Sequence, residues 1–302
     1  MSSSNPRTTS DRWMLSALLA RAGIGAEGAC PAADVTIKSL TDDSRAVTPG
    51  ACFVAVAGQA CDGHRFVESA VQNGAVAVVV ERDVSVPAGT PVVRVDDTRV
   101  ALAKLAAAFY GLFPAEASGL RLIGITGTNG KTTVAWLLRS ILQAAGHRIA
   151  MMGTIEYDLA GERCDARLTT PGALELCRHL SSAQEAGADY GVLEVSSHAL
   201  DQRRTDGLTF TAGVFTNLSG DHLDYHETMP AYLAAKRRLF ERLPADAIAV
   251  ISADDPCGDK IARASSAPVI TFGLDSPRAD VTARIQEMNL RQSVFSMQGH
   301  GL

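Results

Sequence analysis

Apolar residues in this chain come as short runs broken by turn formers, with stretches of helical period between them. In the first third, Cys52–Val56, Ala75–Val80 and Pro91–Val95 read as strands, and helical stretches lie around Arg65–Gln72 and over Thr98–Phe109. An amphipathic helix is expected after Trp13, preceded by a Ser/Thr-rich leader at residues 1–12 with no periodicity. The turn formers between Gly111 and Gly119 read as a linker, giving an α/β domain at 13–113 and a second at 114–302. Beyond Leu120 the runs Tyr190–Val195, Ala212–Thr216, Ala247–Ile251 and Pro268–Phe272 alternate with helices, the pattern of a mostly parallel sheet covered on both faces. Val281–Ile285 and Ser293–Met297 read as further strands, and no closing helix follows before Leu302. The expectation is a central domain cut short.

The stretch Leu120–Thr133 combines a strand (Leu122, Ile123, Ile125), a glycine-rich turn and a helix start. Gly127 and Gly130 can take backbone angles closed to other residues, so that the amides of Gly127, Thr128, Asn129 and Gly130 converge on a polyphosphate at a helix N-terminus. Lys131 is then the residue that reaches the terminal phosphates, and the Thr132 hydroxyl is placed for magnesium, with Thr133 beside it. The general phosphate-loop pattern asks for a glycine where Ile125 stands; Gly124 comes one residue early. Val134, Leu137, Leu138, Ile141 and Leu142 are expected on the buried face of the helix, which ends at Gly146.

Composition narrows the function. At 302 residues and 46% hydrophobic, the chain has enough apolar mass for two cores. A net charge of −5 argues against a nucleic-acid binder, and no run of eighteen apolar residues exists to span a membrane. Six scattered cysteines with no CxxC pair suggest reduced thiols and a cytoplasmic protein rather than a disulfide framework or a zinc ribbon.

Ligands in open parallel sheets sit at the carboxyl ends of the strands, so polar groups just past other strands are expected to meet the same phosphates. Glu194 is an acid inside an apolar strand, where its charge calls for a cation; it reads as a magnesium ligand. The segment from Thr216 to His226 starts at a strand end and gathers Asn217, Asp221, His222, Asp224 and His226. His222 reads as a metal contact, and His226 stays open. Zinc is disfavoured, because no Glu follows the first His and no CxxC supports it. Chemistry alone gives Lys236, on a helix beyond this segment, no role.

Taken together, Gly127–Thr133, Glu194–His198, Gln202–Arg204, Thr216–His226 and Ala231–Lys236 resemble the Mur ligases, with the likeness running from Thr41–Arg45 to about Gly273. Within that family the motifs are most similar to the branch that adds a diamino acid, meso-diaminopimelate or L-lysine, to UDP-N-acetylmuramoyl-L-alanyl-D-glutamate in peptidoglycan synthesis. The resemblance implies an ATP- and Mg2+-dependent ligase, a monomer, working through an acyl phosphate. It implies catalytic roles for Lys131, His222 and Lys236, the last as a carbamate that joins Thr132, Glu194 and His222 as a metal ligand, and nucleotide contacts from Asn217 and the loop. It implies that the UDP end lies near Asp42, Ser44, Gln59, Ala60 and Cys61. The muramoyl-peptide end would then meet Thr169, Thr170, Ser196, Gln202 and Arg204. Hydroxyls and an amide suit sugar and peptide groups, and a guanidinium suits a carboxylate or phosphate. Mur ligases carry a further C-terminal domain that this sequence lacks, so the expectation is a chain that binds ligands better than it turns them over. Two other readings compete: a non-catalytic nucleotide or UDP-sugar-binding module, and a folylpolyglutamate-synthase-like ligase, which the Asp43-Ser44-Arg45 segment disfavours.

Overall fold

The computed structural model describes residues 13–25, 34–58, 61–113, 119–220, 223–274, 276–289 and 291–299. Two compact units emerge. The first runs to Gly119 and takes in Pro171–Ala186 and Gln202–Leu208; the second is built from Leu120–Thr170, Gly187–Asp201 and the chain from Thr209 onward. The expected boundary at 113/114 falls at the edge of residues 114–118, which lie outside the described set.

In the first unit a two-stranded antiparallel pair, β1 (Trp13–Met14) and β2 (Thr36–Ile37), accompanies a parallel sheet in the order β3 (Ser39–Thr41), β4 (Ala51–Val54), β5 (Ala75–Val80), β6 (Val92–Arg94). Side chains alternate between two cores: Cys52, Val54, Ala77 and Val79 pack on one side, Phe53, Ala55, Val78 and Val80 on the other. That is the signature of a strand set buried on both faces. The helix Thr98–Phe109 packs Leu102, Leu105 and Ala108 into the first of these cores and is capped by Asp97, which accepts from the amides of Arg99 and Val100. Ala173, from the helix Ala173–Glu185, belongs to the same core, which is why this later segment groups with the first unit. Burial pushes the Cys52 thiol up to about 12 and the Cys177 thiol higher still, so neither offers a thiolate near neutral pH.

The second unit holds a ten-stranded sheet. Its order is β10 (Arg163–Asp165), β9 (Glu156–Leu159), β8 (Ile149–Met152), β11 (Tyr190–Glu194), β7 (Arg121–Thr126), β12 (Ala212–Phe215), β13 (Ile248–Ser252), β14 (Val269–Gly273), β15 (Val281–Met288), β16 (Ser293–Gly299). From β8 to β15 neighbours run parallel; β9, β10 and β16 pair antiparallel. The expected strands from β11 to β16 are all present, whereas β8, β9 and β10 were not anticipated. Since β7 is flanked by β11 on one side and β12 on the other, the strand order reverses there, and the loop after β7 opens at that switch point.

Gly124 now has its explanation. A Cβ at this position would lie 3.0 Å from the Phe210 ring and 3.1 Å from Leu239, so the glycine admits side chains against a central strand and is no part of the loop. The helix Lys131–Ala144 departs from the expected face: Val134, Leu138 and Leu142 do pack on the β7–β8–β11 core, but Leu137 and Ile141 are 58% and 63% exposed. Arg139 takes the buried position instead, because Asp158 on β9 accepts its Nη2 at 2.5 Å and Glu156 lies 3.5 Å from Nη1.

Gly207 sits where a Cβ would come within 2.0 Å of the Ala103 carbonyl on the helix Thr98–Phe109. Gly207→Ala is therefore expected to destabilise the first unit by about 1–3 kcal/mol, through forced separation of two packed backbones. An unshifted thermal midpoint would show that residues 202–208 are not seated on that helix.

Candidate active site

Gly127 and Gly130 make the turn after β7 possible. Gly127 has φ 151°, and a Cβ there would lie 1.9 Å from Thr216 Oγ1; Gly130, at φ 84°, is the left-handed residue that caps the helix Lys131–Ala144. The turn leads into the helix at the carboxyl end of the sheet, where the positive end of the helix dipole favours an anion. Thr133, on the first turn, is exposed.

The loop is held from outside by the chain that follows β12. Asn217 grips Asn129 on both sides, accepting from its amide at 2.9 Å and donating Nδ2 to its carbonyl at 3.1 Å. The Thr128 amide donates to the Asn217 carbonyl at 2.9 Å, and the Thr216 hydroxyl donates to the Asn129 carbonyl at 2.7 Å. The buried Thr128 hydroxyl accepts from the Ser219 amide at 3.0 Å and lies 3.1 Å from the Tyr232 hydroxyl. Asn217, expected as a nucleotide contact, is thus built into the wall of the loop, and the amides of Thr128 and Asn129, expected to face a polyphosphate, instead donate to Asn217.

Two lysines converge on a single acceptor. Lys131 Nζ donates to the carbonyls of Gly127 and Thr128 at 2.9 and 2.8 Å, and Lys236 Nζ donates to Gly127 O at 2.8 Å. Lys236 is 1% exposed and lies over the Tyr232 ring, 4.4 Å from its centroid. Burial beside the loop is what chemistry read from the sequence did not supply for this residue.

Glu194 ends β11 and is 2% exposed. Its Oε2 accepts from the hydroxyls of Thr132, at 2.9 Å, and Thr154, at 3.0 Å; its Oε1 accepts from the Thr154 amide at 3.0 Å. The Thr154 hydroxyl also lies 3.1 Å from that of Thr169. A Cβ on Gly153 would stand 2.1 Å from Glu194 Oε1, so this glycine is the opening through which the carboxylate reaches its donors. Gly153 and Thr154 went unnoticed in the sequence; the short apolar run Ile149–Met152 before them was the available signal.

A hard carboxylate and a hydroxyl beside a phosphate loop are the donor set magnesium takes, completed by phosphate oxygens and water. Among the described residues no three His, Cys, Asp or Glu side chains come together as a metal cluster, which is the donor pattern zinc would need. His222, expected as a metal contact, lies outside the described residues, as does Asp221.

The expected substrate residues divide between the units. In the second, Thr170 is 2% exposed and its hydroxyl donates to the Glu194 carbonyl at 2.8 Å while accepting from the Ser196 amide at 3.0 Å, so it shapes the turn after β11. The Ser196 hydroxyl accepts from the Ala199 amide at 3.2 Å, and Thr169 is half-buried. In the first unit, Arg204 directs Nε and Nη2 onto Gln202 Oε1 at 3.2 and 2.7 Å, across Arg203, which adopts the left-handed φ of 61°. Ser44 opens a 3-10 turn capped by Asp43, whose carboxylate is lowered to about 2 by its hydrogen bonds with Arg45. Asp42 keeps accessible surface, yet desolvation by the protein around it raises its carboxyl pKa, with the Asp43 charge adding to the effect. The Cys61 carbonyl accepts from the Gly58 amide at 2.9 Å, closing a tight loop whose middle residues, Gln59 and Ala60, lie outside the described residues.

Comparison with known proteins adds the family. Residues 36–110 match the description "Mur ligase family, catalytic domain" and residues 125–301 match "Mur ligase middle domain". A UDP-N-acetylmuramoyl-L-alanyl-D-glutamate–2,6-diaminopimelate ligase of Geobacter metallireducens is 46% identical over 255 residues, covering 82% of this chain and 49% of that protein. The protein of the same name from Geobacter sulfurreducens is 43% identical over 269 residues, 87% of this chain and 51% of its own length. A solved structure of such a ligase superposes with a TM-score of 0.76 at 31% identity, over 88% of this chain and 54% of that one. The chain spans about half the length of the curated relatives it matches.

Gly153→Ala would drive a methyl group against Glu194 and force the carboxylate off Thr154. The expected cost is about 2–4 kcal/mol, the range for a buried charge left short of partners. In a Glu194→Ala background the same substitution should cost much less, and equal losses in both backgrounds, read from urea unfolding, would refute the contact.

Proposed function

The chain belongs to the Mur ligase family, and on that premise we propose that it binds ATP and UDP-N-acetylmuramoyl-L-alanyl-D-glutamate for an amide ligase that adds diaminopimelate to the dipeptide. The observation that carries this reading is the convergence of Lys131, Lys236, Thr132 and Glu194 around the Gly127–Gly130 turn. The relatives' names supply the choice of diaminopimelate over lysine. The match of residues 36–110 to a Mur ligase domain favours a UDP-sugar peptide over a folate as the acceptor.

The chemistry follows from charge. A carboxylate oxygen must approach the γ-phosphorus of ATP, and both partners are anions, so the protein's task is to neutralise and align. The amides at the start of the helix Lys131–Ala144 and the Lys131 ammonium hold the phosphates, with Asn217 fixing the loop's shape. Thr132 and Glu194 would hold magnesium, which supplies neutralisation of phosphate charge. The dipeptide's free carboxylate attacks, ADP leaves, and the acyl phosphate so formed is open to the amine of the diamino acid, which displaces inorganic phosphate. Lys236, buried against the loop, is suited to carbamylation by carbon dioxide, a change that turns a cation into an oxygen ligand. We assign Thr169, Ser196, Gln202 and Arg204 to the peptide end and Asp42, Ser44 and the Gly58–Cys61 turn to the uridine diphosphate. His222 completes the proposed metal set. Nucleotide and UDP-sugar substrates fit a cytoplasmic protein, and no described helix is long and apolar enough to cross a membrane. We take the working form to be a monomer.

The test is equilibrium binding of Mg-ATP to the 302-residue chain. Lys131→Ala should weaken it by at least about tenfold, or about 1.4 kcal/mol, with the thermal midpoint little changed. Binding of UDP-N-acetylmuramoyl dipeptide should survive that substitution. Equal Mg-ATP affinity in the two proteins would count against the loop as a triphosphate site.

A further inference from the structure

The segment Thr216–Ser219 makes the contacts that shape the phosphate loop, yet it is itself a stretch without helix or strand structure after β12. Something must fix it. After β13, two adjacent aspartates turn their carboxylates to different tasks. Asp254 accepts from the amides of Leu274 and Ser276, at 2.6 and 2.8 Å, and so braces the turn that follows β14. Asp255 faces the other way: Oδ2 accepts from the Leu218 amide at 2.6 Å, and Oδ1 accepts from the Cys257 amide at 2.7 Å.

Leu218 stands between the two residues that grip the loop. Its neighbour Asn217 receives the amides of Thr128 and Asn129, and Ser219 donates to the Thr128 hydroxyl. Asp255 is therefore one hydrogen bond and one residue removed from the Asn217 and Ser219 contacts to the loop. Charge-assisted bonds to backbone amides are short and strong, and both oxygens of Asp255 are committed to them, one to the loop's wall and one to its own turn. The turn is in turn anchored: Cys257 precedes the helix Gly258–Ala262, and a Cβ on Gly258 would meet the Ser252 carbonyl at 2.3 Å, so this helix starts in close contact with the end of β13.

We propose that Asp255 is a positioning residue for the phosphate loop, holding Thr216–Ser219 in place from β13 without touching the nucleotide. This rests on the reading of the loop as a triphosphate site, and the experiment separates the two. Hydrogen exchange over residues 127–132 reports loop order with no ligand present, and Mg-ATP binding reports function. In Asp255→Ala the amides of Thr128 and Asn129 should exchange at least about tenfold faster, and Mg-ATP affinity should fall at least about fivefold. Asp255→Asn, which keeps the shape and a neutral acceptor, should fall between and guards against loss of the fold. Asp254→Ala should leave both readouts within about twofold of the parent while loosening exchange at Leu274 and Ser276.

Unchanged exchange at Thr128 and Asn129 in both Asp255 variants overturns the proposal. So does an equal acceleration there in Asp254→Ala, which would mark a general loosening of the sheet end. If the exchange contrast holds while the parent chain fails to bind Mg-ATP, the positioning role stands and the nucleotide reading falls.

Discussion

A carboxylate enclosed at the end of a parallel sheet has to be satisfied there, and the way Glu194 is satisfied organises the site. Its donors come from two separate places, Thr132 on the helix after β7 and Thr154 after β8, and Thr154 in turn meets the Thr169 hydroxyl. Each sits at the carboxyl end of its strand or follows it, so the sheet order β8–β11–β7 is what makes the meeting possible. Gly153 follows as a necessity, since any side chain there would occupy the carboxylate's place. Thr170 secures the same spot from behind by bonding the Glu194 carbonyl and the Ser196 amide. Removing an acceptor of this kind strands several donors at once, which is why buried polar networks tolerate so little change.

The loop beside it obeys the opposite logic. An anion-binding loop must leave amides unpaired, and unpaired amides in a glycine-rich turn give the backbone little reason to hold one conformation. Rigidity has to be imported. Here it comes from side-chain and backbone groups on the outer wall, Asn217, Thr216 and Ser219, which bond to Thr128 and Asn129. Tyr232 adds a contact to the Thr128 hydroxyl from the helix Met229–Glu241, the same helix that delivers Lys236. Preorganisation of this sort removes an ordering cost from the binding step.

Much of this was legible in the sequence where the decisive information is local. The strand, the glycines at 127 and 130, and Lys131–Thr132 are contiguous, and Glu194 announces itself as an acid in an apolar run. Family resemblance, and not local chemistry, singled out Lys236, whose burial against Gly127 depends on residues more than a hundred positions away. The buried face of the helix Lys131–Ala144 was misjudged at Leu137 and Ile141 for a related reason: Asp158 on the unanticipated strand β9 draws Arg139 inward, and periodicity carries no trace of that pairing. Gly124 looked like a misplaced loop glycine until Phe210 and Leu239 were seen to press on its backbone. Likewise, nothing near Ala173 says that its helix joins the core of the first unit.

The two lysines on the Gly127 carbonyl carry the electrostatic argument to its end. Two ammonium groups drawn to one acceptor repel each other. Lys131 also donates to the Thr128 carbonyl, so both lysines are drawn to carbonyl oxygens of the loop itself. The arrangement suits the polyanionic ligand proposed above, whose oxygens would pair with Lys131 directly. Carbamylation of Lys236 would remove the repulsion from the other side by reversing one of the charges. Either change would act at the Gly127 carbonyl, the acceptor the two lysines share.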